Sequence, residues 1–111
     1  MEIKKSQEQS VRGIKFTAEE NGQVIGRALL YILKNDLHPE PFAFMEDMFV
    51  EEAYRGKGIG KELVTALIAE AKAKGCYKLI GTSRHERTEA HGFYKKFGFY
   101  DRGLEFRLDL K

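Results

Sequence analysis

The part of the sequence best suited to chemistry is a glycine-rich basic segment, RGKGIGK, from Arg55 to Lys61. It stands between an apolar run typical of a strand and a run with helical spacing. The start of a helix leaves several amide N–H groups unpaired and carries a partial positive charge, so it binds phosphate oxygens where glycines let the backbone come close. The segment therefore predicts a phosphate-binding turn. The residues alone leave open a plain tight turn with solvated basic side chains.

Two familiar phosphate-binding loops do not fit this segment. The dinucleotide fingerprint needs the spacing G-x-G-x-x-G, whereas the glycines here stand at positions 56, 58 and 60. A nucleoside-triphosphate loop needs a glycine where Arg55 stands and a Ser or Thr where Glu62 stands. These departures count against NAD and ATP as ligands.

Two adjacent carboxylates, Glu46 and Asp47, lie in the run FAFMEDMFV shortly before the glycine-rich segment. In an unbroken strand successive residues face opposite sides, so only one of the two would point into a cleft, and a bulge would exchange them. The other interpretation is that they cap a sheet edge or pair with Arg or Lys.

Length and composition predict one soluble globular domain over residues 1–111, with residues 1–10 loose. The chain has 42% hydrophobic and 32% charged residues. Its net charge of +2 is spread along the chain, which argues against nucleic-acid or membrane partners. The single cysteine, Cys76, and three scattered histidines build neither a disulfide nor a metal site, and they favour a cytoplasmic location. No apolar run approaches the length of a membrane span, and the polar residues MEIKKSQEQS lack the hydrophobic region expected of a signal peptide.

Four segments indicate the first elements of the fold. An Asn21-Gly22 pair between the runs VRGIKFTAEE and QVIGRALLYIL predicts an antiparallel hairpin. The second run has apolar residues on both alternating sets, which predicts a mid-sheet strand covered on both faces. A third strand is predicted over 42–50, and a main helix follows the glycine-rich segment and ends at Gly75.

The rest of the chain predicts two strands and a helix. The run 77–83 is a strand that lies parallel to 42–50, because a helix separates the two in a right-handed crossover. A second helix is predicted at about 87–97, with Gly98 as its stop signal. The run 104–110 alternates apolar and charged residues, which predicts a final strand with one solvated face.

With these elements in place, the sequence resembles the GNAT superfamily of acetyl-coenzyme A dependent N-acetyltransferases over roughly residues 22–110. The family motif R-x-x-G-x-G is matched by Arg55, Gly58 and Gly60. About thirty residues later, the segment A-x-x-x-Y-x-x-x-G-F is matched by AHGFYKKFGF, which begins at Ala90 and contains Tyr94. The stretch MEDMFVEEAYRGKGIG is also similar to spermidine/spermine acetyltransferases, in which a Glu-Asp pair precedes the loop at this spacing.

The resemblance implies an α/β (α+β) fold with a mixed, mostly antiparallel sheet, a parallel V-shaped splay and flanking helices, truncated at the N-terminus. It implies acetyl-CoA as co-substrate, without a metal, and direct transfer of the acetyl group to a primary amine of a small molecule or protein. The main alternative is a non-catalytic acyl-CoA-binding or regulatory module. An RNA-binding domain fits poorly, because the net charge is near neutral and no aromatic platform carries interleaved basic residues.

The resemblance also implies which residues form the site. Backbone groups around Met48, Phe49 and Val50 would hold the pantetheine arm, and one such N–H would polarise the thioester carbonyl. The diphosphate would lie on Arg55, Gly56, Lys57, Gly58, Ile59, Gly60 and Lys61. Glu46, directly or through a water, would remove the amine proton, with Asp47 as the second choice, and Tyr94 would protonate the leaving thiolate.

Two departures from the family pattern carry expectations of their own. Many relatives have Asn where this sequence has Arg87, and Arg87 is expected to reach a coenzyme phosphate instead. Relatives commonly have helices ahead of the hairpin, whereas only some twenty polar residues precede Asn21 here. The acceptor site is therefore expected either to be an open groove for a bulky or protein substrate or to gain a wall from a second subunit in a homodimer.

Overall fold

The chain separates into two units, Met1–Gly81 and Thr82–Lys111. The computed structural model describes residues 1–8 and 10–111. The expectation that residues 1–10 are loose falls partly on Gln9, which lies outside the described residues. Residues 1–8 and 10 lie outside helices and strands and are exposed.

The first unit is a four-stranded sheet with one long helix. Its elements in chain order are β1 (Val11–Glu20), β2 (Gln23–Leu33), β3 (Phe42–Val50), a 3-10 turn (Glu52–Tyr54), α1 (Ile59–Ala73) and β4 (Leu79–Gly81). The strands lie in the order β1-β2-β3-β4, with β1/β2 and β2/β3 antiparallel and β3/β4 parallel. The predicted mixed, mostly antiparallel sheet is confirmed.

The predicted hairpin forms between β1 and β2. Asn21 has φ of 52° and Gly22 has φ of 77°, so both central residues are left-handed, as a two-residue turn with the correct twist requires. The position of β2 between β1 and β3 confirms that it is a mid-sheet strand.

The core of the first unit lies between α1 and one face of the sheet. The predicted apolar stripe of α1 is buried at Leu63, Val64, Leu67 and Ala71. Gly26 in β2 allows close approach, because a Cβ there would lie 3.1 Å from Cδ1 of Leu63. The first turns of α1 are thereby packed directly on β2, close to where β3 ends.

The opposite face of β2 is less covered than predicted. Ala28 and Leu30 are fully buried, whereas Tyr31, in the other alternating set, is 38% exposed. Leu29 and Leu33 in that set are half-buried. Ile25 of that set is 4% exposed, so the predicted cover of the second face is partial. The described contacts of α1 lie on the other face, at Gly26.

Parallel pairing between β3 and β4 is short. It joins Ala43 to Leu79, Phe44 to Ile80 and Met45 to Gly81, and it ends there. The predicted strand 77–83 is therefore shorter than expected. Among the described residues of the first unit, β3 continues from Glu46 to Val50 with no strand on the side away from β2.

The second unit contains α2 (Thr88–Lys95), slightly shorter than the predicted helix. Gly98 follows with φ of 99°, a left-handed conformation that suits its predicted role as a stop signal. The predicted strand 104–110 is wrong, because residues 99–111 contain no helix or strand. Its four apolar side chains are 69–90% exposed. Alternation gives a segment one apolar face, but a strand also needs a partner for its backbone, and the described residues provide none here.

Candidate active site

The glycine-rich segment forms a left-handed turn that leads from β3 into α1. Gly56 has φ of 79° and Gly58 has φ of 84°, conformations that residues with a Cβ rarely adopt. Gly58 is the N-cap of α1 and makes no side-chain capping bond. The sequence places glycine where the backbone needs it, so the turn can start the helix without a capping side chain.

The turn leaves a run of unpaired amide groups. Among residues 1–8 and 10–111, no backbone or side-chain acceptor takes the N–H groups of residues 56–61. The first amide at the helix start with a partner is that of Glu62, which donates to the carbonyl of Gly58 at 3.1 Å. Lys57 and Lys61 are exposed beside these amides. Free N–H donors with adjacent cations form an arrangement that can accept phosphate oxygens.

Arg55 connects the turn to the end of β3. Its Nε donates a hydrogen bond to the carbonyl oxygen of Val50 at 2.9 Å. Its guanidinium also lies over the ring of Phe49, 5.5 Å from the ring centroid. The sequence predicted Arg55 as a charge for a diphosphate, and the structure adds that it ties the turn to the end of β3.

Along the C-terminal half of β3, the described residues leave one backbone edge without a strand partner. Phe49 and Val50 pair with Arg27 and Gly26 of β2 on one side. The parallel pairing to β4 on the other side ends at Met45. Residues 48–50 are half-buried. The carbonyl oxygen of Val50 is bonded to Arg55, and the other backbone groups of this edge can pair with amide groups of an extended ligand arm.

A bulge in β3 begins at Asp47, the second of the two carboxylates. Asp47 has φ of 51°, and the β2/β3 register shifts between Arg27 and Leu29, so that Glu46 lies opposite Leu29. Arg27 binds Asp47 through two hydrogen bonds, Nε to Oδ2 at 2.7 Å and Nη2 to Oδ1 at 3.1 Å. The hydrogen bond from Arg27 is the main cause that lowers the pKa of Asp47.

The two carboxylates therefore differ in availability. Asp47 is paired with Arg27, as one interpretation of the sequence expected. Glu46 is exposed and has no ion-pair or hydrogen-bond partner in the described part of the chain. Arg27 and Leu29 belong to the same alternating set of β2, so the bulge brings both carboxylates toward one face of the sheet. Sequence reasoning missed Arg27. The only signal for it was a cation that interrupts the apolar run of β2.

The second unit holds the other two predicted site residues. Tyr94 on α2 is half-buried, and its ring makes edge contacts with Phe93 and Phe99 at centroid distances of 5.4 and 5.7 Å. Burial raises the pKa of Tyr94, and the charge of Arg87 opposes this to a smaller extent. The phenol is therefore protonated at neutral pH and can donate a proton. Arg87 is the N-cap of α2 and lines an open depression of about 300 Å³.

His91, His38 and Cys76 have local partners or low reactivity. The Nε2 of His91 lies 2.8 Å from the carbonyl oxygen of Arg84, and His38 pairs with Glu40 at 2.6 Å. Burial raises the pKa of the Cys76 thiol, which makes it a poor nucleophile. Within the described ranges, no three His, Cys, Asp or Glu side chains form a group that could hold a metal, and no helix is long and apolar enough to cross a membrane.

Each unit thus brings together part of the predicted site. The first unit places Glu46, the backbone of 48–50 and the turn 55–61 along one continuous stretch around the end of β3. The second unit carries Arg87 and Tyr94 within one helix and its cap. Asp47 is paired with Arg27 in the first unit.

Comparisons with known proteins agree with this geometry. A glucosamine 6-phosphate N-acetyltransferase from Trypanosoma brucei brucei is 35% identical over 96 residues, which cover 86% of this chain and 63% of that protein. The crystal structure of glucosamine-6-phosphate N-acetyltransferase from Arabidopsis thaliana superposes with a TM-score of 0.82 at 26% identity, covering 89% of this chain and 67% of that one. The chain thus spans less than two thirds of the length of the trypanosomal relative.

A second similar structure contains a coenzyme A derivative. It is AAC(6')-Iy in complex with the bisubstrate analog CoA-S-monomethyl-acetylneamine, with a TM-score of 0.71 and 26% identity over 87% of this chain and 69% of that one. The family model described as "Acetyltransferase (GNAT) family" matches residues 2–99. The match includes β1 to β4, the glycine-rich turn and α2, so the chain belongs to the GNAT acetyltransferase family.

Proposed function

We propose that this chain transfers an acetyl group from acetyl-CoA directly to a primary amine. The observation that carries the proposal is the run of unpaired amides at residues 56–61, placed immediately after the free edge of β3. Family membership and the acetyltransferase names of the relatives support it. A strand edge followed by an anion-binding turn suits a ligand that has an extended amide arm and a diphosphate.

The residues present fit acetyl-CoA as a substrate. The diphosphate would accept hydrogen bonds from the amides of residues 56–61, with Lys57 and Lys61 supplying charge. The amides of the pantetheine arm would pair with the free edge of residues 48–50. Arg87, at the start of α2, is proposed as a further contact to a coenzyme phosphate.

The reaction replaces a C–S bond by a C–N bond and requires two proton transfers. The amine nitrogen attacks the thioester carbonyl carbon, the new C–N bond forms and the C–S bond breaks. Glu46 would take the proton that the amine loses, directly or through a water, because, unlike Asp47, it has no partner among the described residues. An N–H of residues 48–50 would polarise the carbonyl. Tyr94 would give its proton to the departing thiolate, since burial keeps its hydroxyl protonated.

We propose an amino sugar as the first acceptor class to test. Two of the proteins compared are named glucosamine 6-phosphate N-acetyltransferases, and the structure of a third protein holds an acetylneamine derivative. The resemblance of MEDMFVEEAYRGKGIG to spermidine/spermine acetyltransferases, which rests on the sequence motif alone, makes polyamines the second class. Protein N-termini are the third class.

The experiment measures release of coenzyme A thiol from acetyl-CoA with glucosamine 6-phosphate, neamine, spermidine and a short peptide. We expect turnover with at least one amine, and mass spectrometry should identify the acetylated product. Glu46→Gln should lower kcat about 100-fold or more, the usual effect of losing a general base. Glu20→Gln, which changes an exposed carboxylate at the hairpin, is the matched control and should keep its activity.

Binding of acetyl-CoA without turnover of any amine would favour the acyl-CoA-binding module instead. Failure to bind acetyl-CoA would remove both hypotheses.

A homodimer and a cytoplasmic location stay predictions from the sequence. Light scattering in the presence and absence of acetyl-CoA would measure the mass of the assembly.

A further inference from the structure

We propose that Arg27 is a positioning residue of the acetyl-transfer site. By binding Asp47 through two hydrogen bonds, it holds the bulge of β3, and the bulge sets the directions of Glu46 and of the backbone at residues 48–50. The inference deepens the proposed function and rests on it for the roles of these groups.

The bulge needs an external support because its backbone is unfavourable. Asp47 has φ of 51°, a left-handed conformation that a residue with a Cβ adopts only at a cost. Such a conformation persists when surrounding contacts favour it over the alternatives. The side-chain contacts that the structure gives Asp47 are the two bonds from Arg27, which fix the carboxylate in one orientation.

Arg27 also contacts the residue on the other side of the bulge. Its guanidinium lies 4.8 Å from the ring centroid of Phe49, its partner across the β2/β3 pairing. The same ring lies beneath the guanidinium of Arg55, which is bonded to the carbonyl oxygen of Val50. One chain of contacts therefore runs from Asp47 through Arg27 and Phe49 to the residue that opens the glycine-rich turn.

The register shows what this chain of contacts maintains. Glu46 lies opposite Leu29 and Phe49 lies opposite Arg27, so two residues of β3, Asp47 and Met48, occupy the space opposite one residue of β2. If the bulge were lost, the pairing would shift by one position, and the side chains beyond it would change faces. The position of Glu46 relative to the free edge of residues 48–50 would then change.

The experiment compares two substitutions that remove the same carboxylate. Asp47→Gly and Asp47→Ala both abolish the bond to Arg27, but glycine adopts a positive φ at no steric cost whereas alanine does not. We expect Asp47→Gly to retain a kcat/KM about tenfold or more above that of Asp47→Ala, since small displacements of catalytic groups have effects of this size. Calorimetric affinity for coenzyme A should follow the same order.

The second arm tests Arg27 itself. Arg27→Met in the natural background should lower kcat/KM about tenfold or more, whereas the same change in the Asp47→Gly background should cost about twofold or less. A role of Arg27 that does not act through Asp47, whether in general stability or through long-range charge, would give the same loss in both backgrounds. Lys15→Met is the control, because Lys15 also places its charge near Asp47 but makes no hydrogen bond to it. It should remain within about twofold of the parent protein.

Equal losses for Asp47→Gly and Asp47→Ala, or an undiminished effect of Arg27→Met in the Asp47→Gly background, would overturn the inference. Circular dichroism checks that each variant is folded. If Asp47→Ala does not fold, the comparison of Arg27→Met in the two backgrounds decides alone. If the parent protein acetylates no amine, the proposed function fails, and the coenzyme A affinities of the same proteins still decide whether Arg27 positions the strand edge.

Discussion

Arg55 and Val50 are joined by a hydrogen bond in which the Nε of Arg55 donates to the backbone carbonyl oxygen of Val50 at 2.9 Å. Val50 is the last residue of β3, and Arg55 is the last residue before the left-handed glycines. The bond therefore fixes the start of the turn against the end of the strand. It makes the free strand edge and the unpaired amides parts of one surface within the first unit.

Replacing Arg55 tests whether this bond or the charge of the side chain contributes more to coenzyme A binding. Arg55→Lys keeps the charge but loses the planar group that bonds Val50 while lying over Phe49. We expect Arg55→Lys and Arg55→Ala to weaken binding of coenzyme A similarly, by roughly tenfold, the effect of one lost positioned hydrogen bond. Isothermal calorimetry measures the affinity. Arg12→Lys on β1 is the control, and a parent-like affinity for Arg55→Lys would show that charge alone suffices.

The glycines at the two ends of α1 allow a matched test of the phosphate-binding turn. Gly58 and Gly75 both have positive φ, 84° and 78°, and a Cβ at either would meet no atom within 4 Å. Alanine at either position should therefore cost roughly 1–2 kcal/mol in the free energy of unfolding, from backbone conformation alone. Only Gly58→Ala should also weaken coenzyme A binding, because only Gly58 lies among the unpaired amides. Equal affinities for the two variants in calorimetry would contradict the assignment of the turn.

The features that could be predicted from sequence are those whose signals are local. The hairpin follows from Asn21-Gly22, whose residues favour the conformations that the turn needs. The end of β3 and the start of α1 follow from glycines that lie within the turn itself. The buried stripe of α1 follows from helical spacing within fifteen residues.

The features that could not be predicted depend on partners distant in sequence. The bulge at Asp47 is held by Arg27, twenty residues earlier, and nothing next to Asp47 marks it as left-handed. The sequence therefore left open which carboxylate is available. The segment 104–110 shows the opposite case, since its alternation is clear but a strand requires a pairing edge that alternation does not supply.

Alanine at position 26 is expected to destabilise the protein, whereas alanine at position 92 is expected to stabilise it. A Cβ at Gly26 would lie 3.1 Å from Leu63 and 3.3 Å from both Ile59 and the carbonyl oxygen of Phe49. Gly26→Ala should therefore push α1 away from the sheet and lower the free energy of unfolding by about 1–3 kcal/mol. Gly92 lies inside α2, and a methyl group added there would meet no atom within 4 Å, so Gly92→Ala should raise the free energy of unfolding by roughly 0.5–1 kcal/mol. Urea unfolding measures both, and destabilisation of similar size in the two variants would contradict the packing argument.

Replacing Tyr94 should lower turnover. Tyr94→Phe keeps the ring between Phe93 and Phe99 but removes the hydroxyl, so kcat should fall about 100-fold if the hydroxyl protonates the thiolate. Tyr100→Phe, which changes a tyrosine 72% exposed, is the control and should retain parent-like turnover. Equal turnover for Tyr94→Phe and the parent protein would remove Tyr94 as the proton donor.

The raised pKa of Tyr94 gives an independent test that does not depend on activity. Because burial favours the neutral phenol, the folded protein holds this proton more tightly than the unfolded chain, in which tyrosine titrates near pH ~10. The stability that this adds is fully present below the unfolded pKa and is lost as pH rises through the folded pKa. Between about pH 9 and pH 11, the parent protein and Tyr100→Phe should lose more of their free energy of unfolding than Tyr94→Phe, which has no such proton. Urea titrations at each pH measure the difference, and parallel losses in all three proteins would show that the Tyr94 hydroxyl is as solvated in the folded state as in the unfolded one.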